Sequence, residues 1–287
     1  MSTEIVLTGT GVPHPRPGTA GAGVLVRCGR VALQFDAGRS TVVRLMEAGT
    51  PPHAVTALFL THVHSDHVVD VADLAMSRWI QQKTEPSGPL VVVAPAGAPE
   101  RFVRRMLDAY EEDIALRIVH VGADPIEVDL RPFEVGPAAT EVWRSEDGTV
   151  RVLAVRVHHE PVPDAVAYRV ETPDGVVVIS GDTRVCAEVE ALSSGADVLV
   201  HEACRATALA PFIAGTTFET IFSYHADTVA LGQMAARAAV PHVVLTHLIP
   251  PLDRPGDADA FTADLRSGGY EGRITVGRDL TSIVLGV

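Results

Sequence analysis

The segment VTALFLTHVHSDH, residues 55–67, restricts this chain more than any other stretch. Its first half is an apolar run of the kind that forms a buried β-strand. That run passes directly into His62, His64, Asp66 and His67. Any fold that accepts the segment must bury the strand and open its C-terminal end onto a polar centre. Imidazole and carboxylate are donors for zinc, and also for iron or manganese. Alternation along the turn can send His62 and His64 to one point, and Asp66 and His67 to a second point beside it. The quartet thus supplies part of two adjacent metal sites and completes neither.

The missing donors are expected at the ends of later strands, and the sequence has them there. His158 and His159 follow the strand-like VRVLAVRV, Asp182 follows VVVISG on a glycine turn, and His247 ends HVVLTH. A solvated turn or a capped helix accounts for the first cluster alone. An ordinary polar residue accounts for each later position alone. Together the positions argue for metal.

The rest of the chain supplies the scaffold. EIVLTG, GVLVRCG and RVALQFDAG read as short strands, followed by the helix STVVRLMEAG, which Ser40 or Thr41 can cap and Gly49 can end. DHVVDVADLAMSRWIQQK has apolar residues at helical spacing, and GAPERFVRRMLDAYEED is also helical in pattern. From Ile114 to Gly181 strands dominate, among them LRIVHV, VRVLAVRV, AVAYRVET and GVVVISG. Strands and helices then alternate to the end: a helix over 185–192, DVLVHEA, HADTVALGQMAARAAV, HVVLTH, DADAFTADLRS, RITVG and LTSIVLG. Two sheets packed together with helices outside satisfy this order. No long linker or low-complexity tract divides the chain, so one domain over residues 1–287 is expected.

Composition narrows the partners. The net charge is -13, and Lys83 is the lone lysine. Nucleic-acid binding usually draws on basic patches, which an acidic total does not announce, although a local patch can sit inside one. Cys28, Cys186 and Cys204 are widely spaced with no CxxC, so neither a disulfide framework nor a thiolate zinc site is indicated. Reducing cytoplasm is the expected compartment. The N-terminus shows no signal-peptide pattern, and no apolar run approaches the roughly 20 residues of a membrane span.

THVHSDH, SGDT and LTH, in that order and after the opening LTGTGVPHP, resemble the metallo-β-lactamase-fold hydrolases over nearly the whole chain. HHEPVPDAVAYRV, VHEA and His225 upstream of VLTH bring the resemblance closest to the branch of ribonuclease Z, arylsulfatase-type hydrolases and cyclic-nucleotide phosphodiesterases. The resemblance implies an α/β fold, a four-layer αββα sandwich with its metal site at one edge of the two sheets. It implies two divalent ions, zinc first, with Mn2+ or Fe2+ as substitutes. His62, His64 and one of His158 or His159 would hold the first ion, Asp66, His67 and His247 the second, and Asp182 would bridge them. His159 is preferred, because its spacing to Tyr168 fits the arylsulfatase-like pattern and strand alternation turns only one of two neighbours to the site. A homodimer follows from the resemblance alone.

The implied chemistry is hydrolysis. A hydroxide shared by the ions would attack a small phosphodiester or sulfate ester, with Asp66 helping to orient it. Glu202 in VHEAC and His225 in FSYHADT would form a pair that protonates the leaving group, as in ribonuclease Z-like enzymes. The plainer roles for these two are a structural hydrogen bond and a helix cap. Carboxylic esters, lactones, thioesters and aryl halides suit the same nucleophile. The alternative reading is a tRNA 3′-end processing endonuclease. It ranks second because no basic Gly-rich arm lies between APAG and VRVLAVRVHH, and because GVPHPRPGTAGAG departs from the Pro-Thr…Arg-Asn segment of ribonuclease Z. The expected partner is therefore a small-molecule ester, with neither nucleic acid nor membrane. The apolar stretch 204–224 packs on the core or a second copy, or walls the substrate pocket.

Overall fold

Apolar strands of this chain satisfy their backbone groups in two mixed sheets; the structure is a computed structural model and describes residues 2–286. The strands are β1 (Thr3–Gly9), β2 (Gly23–Cys28), β3 (Val31–Phe35), β4 (Ala57–Phe59), β5 (Leu90–Pro95), β6 (Val128–Phe133) and β7 (Thr140–Arg144). They continue as β8 (Arg151–Arg156), β9 (Val166–Thr172), β10 (Gly175–Ile179), β11 (Val198–Cys204), β12 (His242–Ile249), β13 (Arg273–Val276) and β14 (Ser282–Val284). One sheet runs β14-β1-β2-β3-β4-β5-β6 and the other β13-β12-β11-β10-β9-β8-β7.

Each sheet begins as an antiparallel meander and continues parallel: β3 to β6 in the first, β10 to β13 in the second. Parallel strands need crossovers, and here helices cover the outer face. The helices are α1 (Thr41–Glu47), α2 (Ser65–Val68), α3 (Val71–Gln81), α4 (Ala98–Arg105), α5 (Glu111–Val121), α6 (Ala187–Leu192), α7 (Ala206–Ile213), α8 (Thr217–Phe222), α9 (Thr228–Arg237) and α10 (Asp257–Ser267). Inward faces meet in a core that includes Leu33, Phe35, Phe59, Val152, Tyr168 and Val244. A second core lies under α6, α9 and α10, and a third under α1, α3 and α4. These layers make the αββα sandwich of the metallo-β-lactamase fold.

Three local expectations change. LRIVHV lies in α5 rather than in a strand. Glu111, Glu112 and Asp113 occupy its first turn, where the helix dipole favours them, and Gly122 closes it in the left-handed region. The helix expected over 66–83 is split into α2 and α3, because the Asp70 amide leaves the helical ladder and donates to Ala37 O at 2.9 Å. Ser40 precedes α1 at φ 69, and its hydroxyl makes no capping bond.

Candidate metal centre

The parallel strands of both sheets end on the same edge, and the predicted donors hang from those ends. β4 leads into His62 and His64, and the first turn of α2 carries Asp66 and His67. From the second sheet come His159 after β8, Asp182 after β10, Glu202 on β11 and His247 on β12. Apart from the half-buried His64, these side chains are buried.

Two local devices aim them. Pairing of β11 with β12 slips at His247, which takes φ 44. This bulge leaves Leu245 and Leu248 in the same outer core and turns the imidazole to the sheet edge. Gly181, at φ +59, precedes Asp182, and a Cβ there would stand 2.8 Å from the Thr61 Cβ. The turn that delivers Asp182 therefore runs against the strand end that delivers His62.

Donor atoms of His62, His64, His159 and Asp182 lie within 4.8 Å of one another, and so do those of Asp66, His67 and His247. His159 Nε2 is 3.1 Å from His64 Nδ1, and Asp182 Oδ2 is 3.9 Å from His62 Nε2 and 3.8 Å from His159 Nε2. In the second group His247 Nε2 is 3.3 Å from Asp66 Oδ2, and His67 Nε2 is 3.7 Å from it. Asp182 reaches this group too, at 3.3 Å from His67 Nε2 and 3.4 Å from His247 Nε2. It stands between the two clusters.

The set fits divalent metal. Donors at bond lengths of roughly 2.0–2.1 Å around a tetrahedral zinc stand about 3.4 Å apart, close to the separations seen. His62 Nε2, His67 Nε2 and Asp182 Oδ1 are buried without a hydrogen-bond partner among the described residues. The other ring nitrogens are held: His62 Nδ1 by Thr61 Oγ1 at 3.0 Å, and His67 Nδ1 by Asp36 Oδ2 at 2.7 Å. That leaves Nε2 of each facing the cluster. Burial pulls the pKa values of His62, His64 and His159 down, toward the neutral imidazole a metal needs. At His67 burial acts the same way, but Asp182, Asp36 and Asp66 outweigh it and raise the pKa well above normal. Carboxylates packed this closely call for positive charge.

Of the adjacent pair, His159 enters the cluster. His158 points to α6 and pairs with Glu188 Oε1 at 3.2 Å. His201 also faces away, its Nδ1 against the Glu202 carbonyl at 2.8 Å. Glu202 and His225 meet: His225 Nδ1 is 2.9 and 3.0 Å from the two carboxylate oxygens, and Thr183 N donates to Glu202 Oε1 at 2.7 Å. His225 does not cap α9, since Asp227 does so by accepting from Ala230 N. Burial alone would lower the His225 pKa; Glu202, with Asp182, pushes it up to about 9.

Asp36 is the residue the sequence reading missed. It accepts from Thr61 N and Thr61 Oγ1, both at 2.7 Å, while holding His67. Its signal was present in QFDAG, an acidic residue at the end of an apolar strand.

A cavity of about 650 Å³ opens onto His64, His159, Asp182, His225 and His247. Its far wall comes from α7 and α8, so most of the 204–224 stretch lies beside the centre, while Cys204 stays buried at the end of β11.

Residues 33–248 match the family described as "Beta-lactamase superfamily domain". This chain belongs to the beta-lactamase superfamily. Within that superfamily it is 34% identical over 279 residues to a ribonuclease Z of Mycobacterium bovis, covering 96% of both chains. It is 37% identical over 280 residues to the ribonuclease Z of Mycolicibacterium paratuberculosis, again with 96% of each chain covered. Among solved structures, the short form of human tRNase Z superposes with a TM-score of 0.73 at 19% identity, over 99% of this chain and 100% of that one. A metallo-beta-lactamase fold protein of Bacillus subtilis gives the same TM-score, 0.73, at 16% identity over 99% and 100%.

These relatives overturn the expectation of a small-molecule ester and no nucleic acid. Ribonucleases match this superfamily member end to end. The acidic total was a poor guide to such relatives because net charge averages over the whole surface and does not describe any one patch of it. For membranes, no helix among the described residues is long and apolar enough to cross one.

Proposed function

We infer that this chain is a divalent-metal-dependent endoribonuclease that processes the 3′ end of tRNA precursors. The observation that carries the reading is the alignment with ribonucleases Z over 96% of both partners. Of the esters its donor set can hydrolyse, the phosphodiester is the one RNA offers. The reading takes His62, His64 and His159 as ligands of one ion, Asp66, His67 and His247 as ligands of the other, and Asp182 as the bridge. When bound, such ions supply Lewis acidity and bring the pKa of a coordinated water toward neutrality, zinc being the first choice. Asp66 would orient that water, and Asp36 fixes the His67 ring. His225, kept protonated near neutral pH by Glu202, donates its proton to the leaving oxygen. The chain is read as a single domain over 1–287, since both sheets contribute donors to one centre. Its three free cysteines suit a reducing cytoplasm.

The test is a tRNA precursor with a 3′ trailer, incubated with the zinc- or manganese-loaded protein. Wild type is expected to release the trailer in one cut, and Asp182→Ala to leave the precursor intact. Precursor that survives wild-type protein, or is cut equally by Asp182→Ala, rejects the assignment.

A further inference from the structure

α7 and α8 carry an apolar sequence that the core does not bury. The stretch ATALAPFIAGTTFETIF, residues 206–222, has no buried side chain in either helix. Phe218 is 48% exposed. Leu209, Ile213, Phe218, Ile221 and Phe222 instead line the 650 Å³ cavity that opens onto the donor cluster. The facing wall is also apolar, with Val12, Pro13, Leu248 and Pro250. Arg16 also lines the cavity and is paired with Asp253.

This arrangement divides the substrate into two parts. A phosphodiester carries its charge to the donor cluster, because among the described residues Arg16 is the one arginine in the lining, no lysine joins it, and Arg16 is already paired with Asp253. What enters the cavity is uncharged and covalently joined to that phosphate. Phe218 and Phe222 stand 5.7 Å apart, centroid to centroid, and tilt by 46°. Such rings give a flat partner a stacking surface with no hydrogen-bond code. Tyr224 continues the aromatic surface to His225, at 5.7 Å between centroids. His225, the proton donor of the reading above, is part of the cavity lining, so a leaving oxygen protonated there would carry its attached group into the cavity.

We propose that Phe218 and Phe222 are specificity-determining residues that select a planar, uncharged ring attached on the leaving-group side of the scissile phosphodiester. Resting on the endoribonuclease reading, that ring is a nucleobase. The side chains of α7 and α8 gain burial when the ring is present, which accounts for their apolar character without it.

Two measurements on metal-loaded protein test this separately from the RNA reading. The first is calorimetric binding of phenylphosphonate and methylphosphonate to wild type, to the double variant Phe218→Ala/Phe222→Ala, and to Phe218→Tyr/Phe222→Tyr. Wild type should favour the phenyl compound by about tenfold or more, the scale of one stacked ring. The alanine pair should lose that preference, and the tyrosine pair should keep it. Neither pair opens the core, because no residue of α7 or α8 is buried. Equal preference in wild type and the alanine pair, or none in wild type, overturns the proposal. The second is cleavage of tRNA precursors with an abasic ribose on one side or the other of the scissile bond. An abasic leaving nucleotide should raise KM about tenfold in wild type and have no such effect in the alanine pair. If the phosphonate preference holds but no precursor is cut, the wall stands and the RNA reading falls. If precursors are cut but neither preference appears, the RNA reading stands and the wall falls.

Discussion

Asp36 sits behind the cluster and acts on it through a single imidazole. Its bond to His67 Nδ1 at 2.7 Å fixes which ring nitrogen faces the other donors. Replacing it, Asp36→Asn, should weaken metal binding by about 10–100-fold in a zinc titration, while the circular dichroism spectrum is retained. His225 makes the opposite prediction. His225→Ala should lower kcat by roughly 10²–10⁴ with metal content unchanged, because the role proposed for it is proton transfer. The sequence made the clustered histidines and Asp182 legible, since they lie at or just past the ends of apolar strands. Asp36 follows a strand as well, but one carboxylate before a glycine turn has many ordinary explanations. Only its distance to His67 separates it from them. The choice between His158 and His159 rested on alternation, and Glu188 on α6 is the physical partner that takes the other ring away.

At the level of elements, turns decide more than propensity does. Gly181 holds φ +59 against Thr61. Gly181→Ala should cost about 1–3 kcal/mol in denaturant unfolding from the backbone alone, with metal affinity falling as Asp182 moves. The strand and helix runs with a buried face were readable from apolar spacing. LRIVHV was not, because β-branched residues mimic a strand, while α5 is held by its ends and buries no residue. The break between α2 and α3 was equally hidden: it comes from the Asp70 amide turning to Ala37, a tertiary contact with no local signature. The bulge at His247 belongs to the same class.

Across the whole molecule, the centre ties the sheets together: the first brings His62, His64, Asp66 and His67, the second His159, Asp182 and His247. At the other end of β12, burial with Arg273 nearby pulls the His242 pKa down to about 4. The unfolded chain, with an ordinary value near 6.5, binds more protons between those two values. Stability from this group is therefore complete above about pH 6.5 and is lost as pH falls toward 4. Urea unfolding at pH 7 and pH 5 should show a smaller acid loss for His242→Asn than for wild type. The sandwich was legible from the order of elements, and the ribonuclease Z branch from THVHSDH, VHEA and His225; the choice of a small ester over RNA went astray because it leaned on net charge, which sums over the whole surface.

The most direct measurement is a metal titration of the chelated protein, with bound metal counted while cleavage of a tRNA precursor is followed. The account predicts no cleavage in the chelated protein and full cleavage only as the ratio reaches about two ions per chain, as a paired site requires. Full cleavage without metal, or a plateau at one ion per chain, would contradict it.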